Sequence, residues 1–267
     1  MPSFYSWEEV LQSPDDFSFN SLIVVSRDHH PPAGGLAWPN PNANQGQEQM
    51  TDAVELWLPT PGTSDSNQTF AQWCWSTQVF QSMTMVSEIA WYRRGAGLGE
   101  NNLGALVWQL NDIWQGTSWS SIEYSGRWKV LQYGLVGIYS PVIIYPFWTA
   151  ANQSLEVLVT SDRWESVSGT AQLTWFDWHG NLLNSSVHHF TTPTLNNSIL
   201  FAASGLDSIL PKGKNASDVW MRLNLTAETE TGSVTNEQYV CPVYQLLMMV
   251  LIDIANSSLQ HLLHKLL

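Results

Sequence analysis

The hydrophobic period of this chain changes once, near residue 139, and that change limits the folds open to it. Before it, Val79, Met83, Val86 and Ala90 recur at +4, +3 and +4, the spacing of one helix face. Arg93 and Arg94 close the stretch where cations suit the helix dipole, and Gly95 and Gly97 supply the stop. The spacing predicts a helix over 68–94. "LGALVWQL" follows as a short continuous apolar run between turn signals. It predicts a strand buried on both faces, as in a parallel barrel or sheet. Helix, short loop and buried strand make one step of an α/β repeat. After 139, "SLEVLVTS", "GTAQLTWFDWHGN", "SSVHHFTT", "NSILFAAS" and "DVWMRLNLTAE" alternate apolar and polar residues. "WHGN" reads as a hairpin turn, and the set as an antiparallel β-sandwich. The expected fold class is α/β plus all-β. One domain covers 1–139, a sandwich covers 140–240, and a Leu-rich tail of helical period covers 241–267.

Two local signals precede the long helix. "SWEE" at 6–9 reads as a capping box that opens a short helix, which "SPDD" then breaks. Residues 27–66 are punctuated by Pro and Gly and read as a long loop.

Charged side chains make up only 12% of the chain, about half the usual share, and the net charge is −13. Such a chain repels phosphate backbones, so no nucleic acid is expected as a partner. The longest apolar run, 246–252, is far too short for a membrane span. Asn67, Asn152, Asn184, Asn196, Asn215, Asn224 and Asn256 each begin an Asn-x-Ser/Thr triplet. Seven acceptor triplets favour secretion, yet "MPSFYSWEEV" has no basic start and no apolar stretch. A missing upstream leader is the expectation. Cys74 and Cys241 match no metal spacing, and Cys74 reads as a buried thiol in the helix.

Trp108, Trp114, Trp119 and Trp128 crowd into residues 105–129. An indole at the end of a barrel strand can stack on a pyranose, and Gln109, Asn111 and Asp112 carry groups that bind hydroxyls. The same indoles equally serve as core, with Asp112 capping a loop. Asp28, His29 and His30 are adjacent in a loop without a third spaced ligand, and His188 and His189 point to opposite faces of a strand. No metal or cofactor is expected. Hydrolysis of a glycoside needs two carboxylates. Glu55 in the strand-like "AVELWL", Glu88 in mid-helix and Glu123 beyond the Trp cluster are not placed for that work.

"GALVWQLNDIWQGTSWSSIEYSGRWK", continuing through "VLQYGLVGIYSPVIIYPF" to "TGSVTNEQYV", closely resembles the exo-β-mannosidases of the glycoside hydrolase family 2 type, the fungal secreted branch in particular. "PSFYSWEEV" and "RDHHPPAGG" extend the likeness, so it covers about 1–240. The resemblance implies that 1–139 is the last part of a (β/α)8 catalytic barrel and that 140–240 is the immunoglobulin-like or carbohydrate-binding-module-like sandwich after it. It implies hydrolysis of terminal non-reducing β-D-mannose with retention. Trp108 would stack on the sugar in the −1 subsite, and Asp112 would shape the pocket. The family nucleophile, a Glu in a Ser-Glu-aromatic-Gly pattern, lies upstream of the pair corresponding to Pro2-Ser3. The acid/base Glu lies earlier still. Both are absent from this chain, which is therefore expected to be inactive alone. The tail from Tyr244 replaces a further β-sandwich, as a shifted reading frame would produce.

Two other readings stay open. One is a non-catalytic carbohydrate-binding module using Trp164, Trp175 and Trp178. The other is a half-enzyme that docks with the missing N-terminal part. β-Mannoside oligosaccharides are the expected ligand in the catalytic reading.

Overall fold

The computed structural model describes residues 1–19, 21–28, 45–62 and 67–242. His29, His30, Asn256 and the Leu-rich tail lie outside the described residues. The helices are α1 (Phe4–Glu8), α2 (Leu22–Ser26), α3 (Gln45–Trp57), α4 (Asn67–Arg94), α5 (Val130–Ile138) and α6 (Leu206–Ile209). The strands are β1 (Val142–Thr149), β2 (Ser154–Ser161), β3 (Val167–Asp177), β4 (Leu182–Thr192), β5 (Asn196–Ser204), β6 (Val219–Thr229) and β7 (Gly232–Val240). The described residues fall into two compact units. One draws on 1–86 and 106–136, the other on 87–105 and 137–242.

The second unit is the β-sandwich. A three-stranded sheet in the order β1-β2-β5 faces a four-stranded sheet in the order β4-β3-β6-β7, and every pairing is antiparallel. Alternation does what was expected of it along β6, where Val219, Met221, Leu223, Leu225 and Ala227 are buried and their neighbours are not. These residues meet Val142, Ile144, Val157 and Val159 from the opposite sheet in one core. The "WHGN" turn joins β3 to β4. The Asp177 carboxylate accepts the backbone N–H of His179 and of Asn181, both at 2.9 Å, and Gly180 takes φ +84.

β1 shows no alternation because both its faces are covered. Val142, Ile144 and Trp148 enter the sandwich core. Tyr145 and Phe147 turn to the C-terminal half of α4. There the Tyr145 hydroxyl pairs with Ser87 Oγ at 2.9 Å, and Phe147 meets the Trp91 ring edge-on. Pro146 is tolerated since β1 is an edge strand. Arg93 is buried with its guanidinium donating to the carbonyls of Ile138 and Ser140 and paired with Asp162 at 2.7 Å. Its place at the helix end thus rests on specific acceptors as well as on the dipole.

In the first unit, Phe70 on α4 gathers Phe4, Trp7, Phe17 and Phe19 around it. The expected 68–94 helix is present as α4, but its buried face in this unit is Phe70, Cys74, Thr77, Gln78 and Ser82, and of the Val79, Met83, Val86 and Ala90 row only Ala90 is buried. Polar side chains can lie there because each is bonded. Thr77 donates to the Cys74 carbonyl at 2.8 Å, and Gln78 Oε1 accepts the Val130 N–H at 3.1 Å. Cys74 is a free, buried thiol.

Four local expectations are corrected. Residues 6–9 form no capping box; α1 begins at Phe4, and the Ser6 hydroxyl is inside it, donating to Glu123 at 2.5 Å. The 27–66 stretch is not one loop, since α3 lies within it and buries Val54 and Trp57 on a +3 spacing. Glu55 is therefore helical, not in a strand. "LGALVWQL" is not a buried strand. Leu106 is fully exposed, and among the described residues no strand lies beside this run to cover it. The barrel architecture is correspondingly not visible as such in these units.

Candidate functional site

The loop 109–129 doubles back on itself. The Asp112 N–H donates to the Ile122 carbonyl at 2.8 Å, and the Ile122 N–H to the Leu110 carbonyl at 2.9 Å. The Lys129 N–H reaches the Ser121 carbonyl at 2.9 Å. This reversal brings Asp112 against Lys129. Their charged atoms lie 3.0 Å apart, and neither side chain has solvent access. Ser118 donates its hydroxyl to Asp112, and Lys129 Nζ donates to Ser120 Oγ at 2.7 Å. Burial pulls the Lys129 ammonium below its usual range, and the Asp112 carboxylate opposes that fall.

Glu123 makes a second buried node. It accepts the Ser3 N–H at 2.7 Å, the Ser3 hydroxyl at 2.9 Å and the Ser6 hydroxyl at 2.5 Å. Gln78 Nε2 at 3.3 Å and Arg127 Nη1 at 3.2 Å complete the set. The first residues of the chain, α4 and the loop are thus held by one carboxylate. At the loop's other end, Gln115 Nε2 donates to Glu9 Oε2 at 2.7 Å. Gly116 approaches the Arg27 carbonyl so closely that a Cβ would stand 2.1 Å from it.

The indoles ride on this frame facing outward. Trp108 is 73% exposed, and Trp114, Trp119 and Trp128 are exposed as well. They are not core. The Trp108–Gln109 peptide is cis. Asn111 is exposed, while Asp112 points inward to its ion pair. Trp108 and Asp112 are thus on one loop without sharing a surface. A cleft of about 530 Å³ lies beside Trp119, with Asp28, Met50, Phe80, Gln81 and Met85 among its walls.

No other arrangement among the described residues suits acid–base work. Asp112 and Glu123 are each held against a cation. Glu55 is exposed on α3, and Glu88 accepts the Tyr92 hydroxyl at 2.6 Å. No group of three metal-binding side chains occurs among the described residues. His188 meets the Phe201 ring and Ser186, while His189 faces solvent on the other side of β4. Sequence reasoning missed Lys129, Ser118, Ser120 and Gln78. The available signal was scarcity: with only ten Lys and Arg residues, each one inside a Trp-rich run asks for a partner.

The acceptor asparagines divide by environment. Asn67, Asn152, Asn184 and Asn215 are exposed, whereas Asn196 and Asn224 are half-buried. The Asn224 amide already donates to Glu237 Oε2 at 2.9 Å. Trp175 is buried in the sandwich core, so it cannot join a surface platform. Trp164 and Trp178 are exposed but flank opposite ends of β3, which puts them roughly 40 Å apart at about 3.3 Å per residue.

Residues 153–244 match the Mannosidase Ig/CBM-like domain family. Beta-mannosidase A of Aspergillus fumigatus is 43% identical over 222 residues, 81% of this chain and 24% of the relative. Beta-mannosidase A of Aspergillus niger is 41% identical over 254 residues, 90% of this chain and 26% of the relative. The fold is similar to that of a beta-D-mannosidase from Dictyoglomus thermophilum, with a TM-score of 0.66 and 16% identity over 92% of this chain and 26% of that one. The Amycolatopsis orientalis exo-chitosanase aligns with a TM-score of 0.57 and 16% identity over 90% of this chain and 26% of that one. The chain spans about a quarter of the length of these relatives. By sequence over most of its length, and by fold, it is a relative of the beta-mannosidases of the glycoside hydrolase family 2 type, corresponding to a quarter of such an enzyme.

Proposed function

We propose that this chain carries the strand-eight side of a (β/α)8 barrel, over 1–139, and the sandwich that follows it, over 140–240, of a secreted retaining exo-β-mannosidase. The 241–267 tail is a separate, atypical segment. In this reading Trp108 offers its face to a terminal β-mannosyl residue. Asp112 shapes the pocket from below by fixing the loop through Lys129. The carrying observation is the outward Trp108, held on a frame of two buried charged nodes instead of being packed away. The identity to fungal beta-mannosidases along most of the chain supports the substrate class.

The two catalytic carboxylates are supplied from outside this sequence. The buried carboxylates of the Trp loop, Asp112 and Glu123, are each paired with a cation, whereas a retaining site needs two available carboxyl groups about 5–5.5 Å apart. The exposed Leu106, Leu110 and Ile113 lie on the edge that the remaining barrel strands would cover. Exposed acceptor asparagines support secretion, and among the described residues no helix is long and apolar enough to cross a membrane. A stand-alone carbohydrate-binding module is the weaker reading, because Trp175 is core and Trp164 and Trp178 stand far apart.

The test is an assay of the whole chain with p-nitrophenyl β-D-mannoside, alongside binding of mannobiose followed by saturation-transfer NMR. The expected result is no release of p-nitrophenol, with saturation transfer that disappears in Trp108→Ala and persists in Trp164→Ala. Turnover by the chain alone, or sugar signals unaffected by Trp108→Ala, would sink this assignment.

A further inference from the structure

Trp75 lies on the third turn of α4 and is 62% exposed. An indole left in water gains nothing from the core. It forms one end of a groove of about 570 Å³ between residues 59–62 and a face of α4. Gln68, Ala71, Gln72 and Ser76 line that face, Thr60 adds a hydroxyl opposite, and the remaining walls are Pro and Gly. Among the described residues no charged side chain lines the groove. An aromatic ring flanked by neutral amides and hydroxyls suits a sugar, whose C–H face stacks on the ring while its hydroxyls exchange hydrogen bonds with the amides.

The chain itself carries an occupant. Asn67, the first residue of α4, is exposed and begins the Asn67-Gln68-Thr69 triplet. Asn67, Ala71 and Trp75 are spaced by four, so they form one row along the helix. Eight residues at the α-helical rise put Asn67 and Trp75 about 12 Å apart along the axis, a span that the chitobiose core and first mannose of an N-glycan cover. Ala71 between them is small and leaves the floor of the groove open.

We propose that an N-glycan on Asn67 folds back along this groove and lays a core sugar on the indole of Trp75, covering the exposed start of α4. The assignment rests on the secretion reading above. It is a binding site for the protein's own modification, distinct from the Trp108 loop.

The test uses the full chain secreted from a yeast host. Peptide mass spectrometry gives occupancy at each acceptor, and timed digestion of the native protein with an endoglycosidase gives the rate of glycan release. The Asn67 glycan should be released several-fold more slowly than the glycans on Asn152 and Asn184. Trp75→Ala should keep Asn67 occupancy and bring its release rate up to theirs. In Thr69→Ala, which leaves every groove side chain in place, oxidative footprinting of Trp75 should rise several-fold. Equal release rates in the native chain, or unchanged Trp75 oxidation in Thr69→Ala, would overturn the proposal. So would protection of Trp75 by added mannobiose in the fully glycosylated chain, since the groove would then be open. A bare Asn67 beside occupied Asn152 and Asn184 overturns it and leaves the secretion reading standing. Seven bare acceptors overturn both.

Discussion

Lys129 has no solvent access, although it is one of only ten basic side chains in the chain. A buried ammonium is costly by itself, and the Asp112 carboxylate 3.0 Å away makes it tolerable. Asp112→Asn or Lys129→Met should each cost about 3–5 kcal/mol in urea unfolding, because the remaining charge is stranded. The double change Asp112→Leu with Lys129→Met should recover most of that loss. Strictly additive losses would mean that the two side chains do not act as a pair. The sequence allowed Asp112 to be read as a pocket carboxylate on the Trp loop. Its partner stands 17 positions later and meets it through a chain reversal that carries no periodic signature. The same holds for Glu123, whose donors include Ser3 and Ser6, well over a hundred residues away. Local pattern assigned Ser6 to a cap; tertiary contact assigned it, with Ser3, to a carboxylate.

At the scale of elements, alternation located β3, β4 and β6 by their period of two and found β5 and β2 as well, the latter by its alternating residue types although 157–161 are buried in a row. It passed over β1, which is covered on both sides, since a strand buried all round has no period to detect. It passed over α3 as well, where Pro and Gly on either flank masked the Met50, Val54 and Trp57 spacing. The "LGALVWQL" reading failed for the complementary reason: a continuous apolar run becomes a buried strand only where neighbouring strands exist to cover it. Within the sandwich, Gly169 on β3 pairs with Ala227 on β6 and leaves no room for a side chain. A Cβ there would stand 2.1 Å from the Thr226 carbonyl and 2.8 Å from the Phe190 ring. Gly169→Ala should therefore destabilise the sandwich by about 1–3 kcal/mol, read as a lower urea midpoint followed by β-sheet circular dichroism. An unchanged midpoint would mean that the two strands stand further apart than described.

The whole molecule has an alkaline limit set by groups in both units. Burial pushes the Cys74 thiol up to about 12 and the Tyr145 hydroxyl up to about 12. In the unfolded chain each loses its proton first, from about pH 8.5 for the thiol and pH 10 for the phenol. The folded state holds more protons across that window, so this stability is intact below about pH 8.5 and falls as pH rises towards 12. The thiol alone accounts for a loss of several kcal/mol by the top of the window, at about 1.4 kcal/mol per pH unit. Urea midpoints from pH 8 to 11 should fall steadily, and Cys74→Ala should flatten the slope in its own unit. A slope unchanged by Cys74→Ala would show that the thiol is accessible in the native chain.

The sequence by itself determined the split between a helical first part and a sandwich, the α4 helix, five of the seven strands, the WHGN hairpin and the kinship with beta-mannosidases. These follow from spacing and side-chain type, which act over a few residues or a contiguous motif. Tertiary structure alone decided which face of α4 is buried, that the Trp cluster faces outward, and that Asp112 and Glu123 are held as buried nodes rather than free acids. Those outcomes depend on which distant groups reach a buried polar atom. A buried charge takes whatever partner the fold brings within about 3 Å, and no local pattern records that choice.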